Sequence, residues 1–256
     1  MGSFEGYIGV FDSGAGGISV LKALIDELPH ERFVFFGDSR YTPYGDKPAS
    51  WILDRCRHLT QWLLDEGCKA IVIACNTATS AYAEIVRAEL DMPIVGMEPA
   101  IKPAQLARRG GEVIALATKA TLTLPKFQRL MESYGEAVVP VIGEGLVELV
   151  ESGQANTPQA DAAIERLLQP YMDRSIDSIV LGCTHYPFLT ASIRKVFPNV
   201  PIFDGREGTA MRLKSLLDQN GLRSDNAPGT IEYQTSGSPE TLDLMRRLMA
   251  SLDSPK

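Results

Sequence analysis

The chain has 256 residues, with 25 Lys and Arg against 32 Asp and Glu, a formal charge of −7, and 45 % of its residues are hydrophobic. Such a composition buries a core sufficient for one large domain or two modest ones and excludes a disordered chain. The acidic balance argues against nucleic acid and anionic membrane surfaces as partners, and no apolar run approaches the roughly 20 residues of a membrane span.

In chain order, short runs rich in Val, Ile and Phe at 7–11, 33–36, 69–74, 93–96, 112–117, 137–141, 178–181, 200–203 and 230–234 read as strands. The first is too short to be an export segment, so the expected location is the cytoplasm. Segments of helical period lie between the strands. Ile18, Leu21, Leu24, Ile25 and Leu28 recur at spacings of three and four, which predicts a helix over 17–28, and 50–66 follows the same rule. Thr157 with Pro158 and Ser238 with Pro239 open helices near 158–173 and 239–252 as a cap followed by a first-turn proline. Strands alternating with helices predict an α/β fold of mostly parallel sheets flanked by helices.

One device occurs twice. Residues 71–77 (IVIACNT) and 179–185 (IVLGCTH) are each a buried strand, a small residue, a cysteine and then polar donors. The chain thus reads as two similar α/β halves. Ligands of parallel sheets bind at the carboxyl ends of the strands, so each echo places a thiol where function usually sits, and facing halves would bring both to one cleft.

The four cysteines contain no Cys-x-x-Cys pair, and in a reducing compartment they are free thiols. Cys56 shares a helix face with Ile52, Leu59 and Leu63, and Cys68 enters a strand, so both read as packing residues. Cys75 and Cys183 sit at strand-to-helix turns, where helical N–H groups can lower a thiol pKa. Of three histidines, His30 and His58 read as surface residues, whereas His185, two positions after Cys183, can hold or accept a proton there. Asp12 opens a glycine-rich turn, residues 12–17, whose N–H groups form an anion cradle without the lysine of a P-loop. The adjacent carboxylate disfavours phosphate and suits an ammonium or a proton relay. Thr118 and Thr121 read equally as ligand donors and as helix caps. Glu151 ends a helical stretch against the dipole, with Glu148 nearby as an alternative acid. Cys75, Cys183 and His185 could supply three zinc ligands, but nothing in their spacing is typical of a metal site, and none is expected.

The strings IGVFDSGAGGISVL at 8–21, FFGDSRYTPYGDK at 35–47, ACNTATS at 74–80 and LGCTHYPFL at 181–189 resemble those of bacterial glutamate racemases, in the order and spacing of that family. The resemblance covers nearly the whole chain. It implies interconversion of L- and D-glutamate for peptidoglycan synthesis, with no cofactor and no metal, by a homodimer that binds neither nucleic acid nor membrane. Cys75 would deprotonate D-glutamate and Cys183 L-glutamate, assisted by Asp12 and His185 respectively, with Glu151 as a further acid. Substrate contacts would come from Asp12, Ser13, Tyr44, Gly45, Asn76, Thr77, Thr118, Thr121, Thr184 and His185. The first domain would take residues 1–97 and 208–256 and the second 98–207, with the site in the cleft between them. Many relatives have glycine where this chain has Ala117 and Ala120, which puts the local backbone geometry in question. The alternatives are a racemase of a related acidic amino acid such as aspartate, a Cys-His hydrolase using Cys183 and His185, and a two-lobed amino-acid-binding protein with no use for either thiol.

Overall fold

The computed structural model describes residues 2–224 and 228–253. Its described residues form nine strands: β1 (Ile8–Asp12), β2 (Phe33–Gly37), β3 (Ala70–Ile73), β4 (Ile94–Gly96), β5 (Glu112–Ala117), β6 (Val138–Ile142), β7 (Ile176–Gly182), β8 (Ile202–Asp204) and β9 (Ile231–Thr235). They build two sheets, in the orders β4-β3-β1-β2-β9 and β6-β5-β7-β8. Every ladder pairing is parallel. Both sheets are covered by helices, as parallel strands require when neither face meets water.

The period-two alternation of each strand explains the layering. In the first sheet Ile8, Val10, Val72 and Phe35 face one way, onto helices Ile18–Glu27, Arg206–Gln219 and Pro239–Asp253. Phe11, Val34, Ile71 and Ile73 face the other way, onto Ala49–Asp65 and Asn76–Glu89. The second sheet splits likewise: Ile114, Leu116, Ile179 and Leu181 join the first cluster, which runs continuously through both halves. Val113, Ala115, Ala117 and Val180 instead meet the helices around Ile101, Leu122 and Phe127. Cys56 and Cys68 lie in the core, as their settings predict, and His30 and His58 are exposed.

Two expectations are corrected. The helix from Pro158 is α-helical only to Leu168 and continues as a tight turn, Gln169–Tyr171. Pro170 has no N–H to donate four residues back, so the α ladder stops there. Strand β7 reaches Gly182, beyond the predicted end, and carries the ladder to the residue before Cys183. The alanines in place of glycine need no special backbone: among the described residues Ala137 is the one non-glycine with positive φ. No helix among the described residues is long and apolar enough to cross a membrane.

Topology selects the site. In the first sheet the chain runs from β1 outward to β2, then returns to the other side of β1 as β3. In the second it runs from β5 outward to β6 and returns beside β5 as β7. Loops leaving adjacent strands in opposite directions open a crevice at that switch point. The residues that follow β1, β3, β5 and β7 are Ser13, Ala74-Cys75, Thr118 and Cys183.

Candidate active site

The two switch points close on one small pocket, with Cys75 and Cys183 both in its wall. Its volume is about 10 Å³, room for one water. Ser13, Tyr44, Gly45, Asn76, Thr77, Thr118, Thr184 and His185 line it as well. Asp12, Thr121 and Glu151, also expected at the site, stand behind this wall. Pro43, Val147 and Gly182 line the pocket without having been singled out. Val147 lies one helical turn before Glu151 and Gly182 directly precedes Cys183, so both carried a positional signal.

Cys75 is the N-cap of helix Asn76–Glu89, and its Sγ accepts the Ala78 N–H at 3.4 Å and faces the Ser13 hydroxyl at 3.6 Å. These donors favour the thiolate, as expected at a helix N-terminus. Burial outweighs them, and with the Asp12 charge it pushes the Cys75 thiol up to about 12. The expectation of a lowered pKa at this turn is therefore reversed.

Cys183 is held differently. His185 Nδ1 lies 3.6 Å from its Sγ, and His185 Nε2 lies 2.6 Å from Glu151 Oε1. Burial disfavours the imidazolium, but the bonds to Cys183 and Glu151 outweigh it and hold the ring well above the usual histidine range. A thiol, an imidazole and a carboxylate thus stand in line. Glu148 is exposed, so Glu151 is the acid that meets His185.

Asp12 has no bond to Cys75 and lies beneath the wall, fully buried. It accepts the Gly14 and Gly17 N–H groups at 3.1 Å each and the Thr184 hydroxyl at 3.1 Å. The glycine turn does bind anions, but they are the protein's own: Ala15 N–H donates to Glu151 Oε1 at 2.6 Å. Those three N–H groups are committed to the protein's own carboxylates, and Asp12 is not among the residues that line the pocket. Space, not φ, requires glycine here, since a Cβ at Gly14 would meet Glu151 and one at Gly16 the His185 ring. Burial raises the Asp12 pKa to about 6, against the opposing charge of His185 and the Gly14 bond.

Of the two roles weighed for Thr118, the structure shows the cap. It caps helix Lys119–Thr123 through Thr121 N–H at 3.2 Å. Its hydroxyl also lies 3.1 Å from Thr77 and 2.9 Å from Thr121, a cluster that spans the two halves. Asn76 is 2 % exposed, and both polar atoms of its amide are buried and unpaired among the described residues. The Tyr44 hydroxyl is engaged elsewhere, donating to Asp38 at 2.5 Å. Among the described residues no group of three or more His, Cys, Asp and Glu could hold a metal ion, so the three-ligand alternative has no supporting geometry.

The arrangement is a pair of thiols from two similar halves, one capping a helix and one backed by an imidazole, in a small pocket rich in neutral donors. The chain is similar to both sequenced and solved proteins. The chain is 46 % identical over 222 residues, 85 % of each chain, to glutamate racemase of Clostridium perfringens strain SM101. It matches the crystal structure of glutamate racemase from Thermus thermophilus in complex with beta-chloro-D-alanine at 35 % identity and TM-score 0.80, covering 99 % of this chain and 95 % of that one. Isoform RacE1 of Bacillus anthracis glutamate racemase matches at 28 % identity and TM-score 0.84, covering 95 % and 94 %. The model of the Asp/Glu/hydantoin racemase family matches residues 19–213, and the chain belongs to that family.

Proposed function

We propose that this protein interconverts L- and D-glutamate by moving the α-proton between two thiols, and that its product enters peptidoglycan synthesis. One observation carries the reading: Cys75 and Cys183, from equivalent strand ends of the two halves, line one pocket. A racemase must remove a proton from one face of Cα and return one to the other, so it needs a base and an acid on opposite sides. The asymmetry of their settings separates the two roles. Cys75, pushed up to about 12 by burial, rests as the acid. Cys183, 3.6 Å from His185 Nδ1 in a ring held by Glu151, takes the part of the base. That state takes the proton of L-glutamate on Cys183 and returns one from Cys75; the reverse state serves D-glutamate. Neutral donors stabilise the developing carbanion and the carboxylates, chiefly Asn76, Ser13, Thr77 and Thr118. The side chains supply every proton acceptor and donor the reaction needs, so the reading calls for no cofactor.

The pocket admits little more than a water, so the halves part to admit glutamate and close to exclude solvent. In this reading the halves are domains of residues 1–97 with 208–256 and of 98–207, of which residues 1, 225–227 and 254–256 lie outside the described residues. The protein works in the cytoplasm as a homodimer, which sedimentation tests. The line of Cys183, His185 and Glu151 also suits a thiol hydrolase, but that chemistry leaves Cys75 idle. Incubating metal-stripped protein with L-glutamate in heavy water separates the two. Racemisation predicts loss of optical rotation together with α-deuterium; a protein that hydrolyses amides or esters and leaves glutamate unchanged refutes it.

A further inference from the structure

Tyr44 and Gly45 line the pocket from the turn Tyr44–Asp46. The Tyr44 hydroxyl donates to Asp38 Oδ2 at 2.5 Å, and Asp38 is fully buried. Arg55, from helix Ala49–Asp65, grips the same carboxylate with two donors, Nε to Oδ2 and Nη2 to Oδ1, each at 2.7 Å. The guanidinium lies 4.7 Å over the Tyr41 ring. Trp51 packs against Tyr41 and edge-on against Tyr44, with ring centroids 5.6 and 5.4 Å apart. Neither Asp38 nor Arg55 touches the pocket.

A forked guanidinium on a carboxylate fixes direction as well as distance, which a point charge does not. With one oxygen shared between Arg55 and the phenol, the Tyr44 side chain has a single orientation, and its backbone is pinned with it. The next residue shows what the pinning achieves. A Cβ on Gly45 would lie 3.2 Å from the Thr118 side chain, so the turn presses against the opposite half with nothing between. Thr118 stands at the switch point of the second sheet, in the hydroxyl cluster with Thr77.

We propose that Asp38 and Arg55 are positioning residues for racemisation: they hold the Tyr44–Gly45 turn against Thr118 and thereby set the wall that the substrate meets in the pocket of Cys75. The inference rests on the racemase reading. Arg55→Lys keeps the charge and loses the fork, and Tyr44→Phe removes only the hydroxyl that joins the turn to Asp38. Each is compared with wild type in thermal unfolding, kcat, KM and pH profile for L-glutamate. The expected result is a folded protein whose KM rises about tenfold or more, whose kcat falls less, and whose pH limbs stay in place. Asp38→Asn combined with Arg55→Gln leaves no unpaired buried charge and shows the same rise. Folded variants with KM within about twofold of wild type overturn the proposal; if Arg55→Lys fails to fold, Tyr44→Phe and the neutral pair decide it. An active wild type with unchanged variants overturns this proposal alone, whereas a wild type that does not racemise glutamate overturns the reading beneath it as well.

Discussion

Glu151→Gln tests the charge behind His185. Glu151 Oε1 stands 2.6 Å from His185 Nε2 and 2.6 Å from Ala15 N–H, on a side chain 14 % exposed. Glutamine keeps the length and can still accept from Ala15, so the substitution removes the negative charge opposite the ring and little else. A hydrogen bond to a charged group contributes about 1.5–3 kcal/mol, a factor of roughly 10 to 150 in the balance between imidazolium and imidazole. Burial works against the imidazolium here, and without Glu151 one of the two partners that chiefly oppose it is gone, leaving Cys183. The sign is therefore definite: the variant loses the His185 proton at lower pH. The alkaline limb of kcat/KM moves to lower pH, and on that side the rate falls by about one to two orders of magnitude.

Circular dichroism of initial rates in both directions, from acid to alkaline pH, measures this effect. Enantiomers have equal free energies in water, so the equilibrium constant is unity and kcat/KM must be the same from L and from D in every variant. The loss therefore shows equally in both directions, although kcat and KM can divide it differently. A folded Glu151→Gln protein whose alkaline limb has not moved refutes the argument that this carboxylate holds the His185 proton.

Three further outcomes follow from the same geometry. Cys75→Ala and Cys183→Ala each lower racemisation by about 10²–10⁴-fold; Cys75→Ala still exchanges the α-hydrogen of L-glutamate with heavy water and Cys183→Ala that of D-glutamate, and the opposite pairing seen by proton NMR reverses the assignment. Asp12, raised from 3.8 to about 6, is protonated in the folded chain where the unfolded chain has already ionised, so it lowers stability as pH rises through that window and above it. That difference corresponds to about 3 kcal/mol, and urea unfolding of Asp12→Asn against wild type should show the variant gaining by that amount between about pH 4 and 6; a pH-independent difference contradicts the buried carboxylate. Ala117→Gly and Ala120→Gly cost about 0.5–1 kcal/mol each and leave kcat/KM unchanged, because neither alanine has a positive φ; denaturant midpoints and rates check both.

What was legible in the sequence was local. The strand ends at Cys75 and Cys183 announce themselves because four apolar residues precede each cysteine and polar donors follow, and a period of two or of 3.6 depends only on near neighbours. The helical period placed Cys56 in the core, and the entry to a buried strand placed Cys68 there, both correctly. Partnerships across the chain were not legible. Ala15 and Glu151 are 136 positions apart, and no periodicity indicates that this carboxylate, and not Glu148, meets the glycine turn. Burial is likewise a property of the closed fold. The N–H groups beside Cys75 were readable as donors that lower a thiol pKa, but the desolvation that overrides them exists only once both halves enclose the sulfur.

The electrostatic problem posed by the composition ends in the same place. A chain with 32 acidic against 25 basic residues that binds a dicarboxylate must provide local attraction for it, and the glycine turn first reads as the source. In the fold that turn neutralises Asp12 and Glu151 instead, which lets two acids sit beside the thiols. Of the residues lining the pocket, His185 alone can carry a positive charge, and it serves Cys183. Besides the thiols and His185, the polar side chains of that wall are hydroxyls and one amide, and in the proposed reading these are what is left for the substrate. Of these, Asn76 has both polar atoms buried and without a partner among the described residues, and because a buried amide left unsatisfied costs about 1–3 kcal/mol, a group that pairs with it recovers that cost.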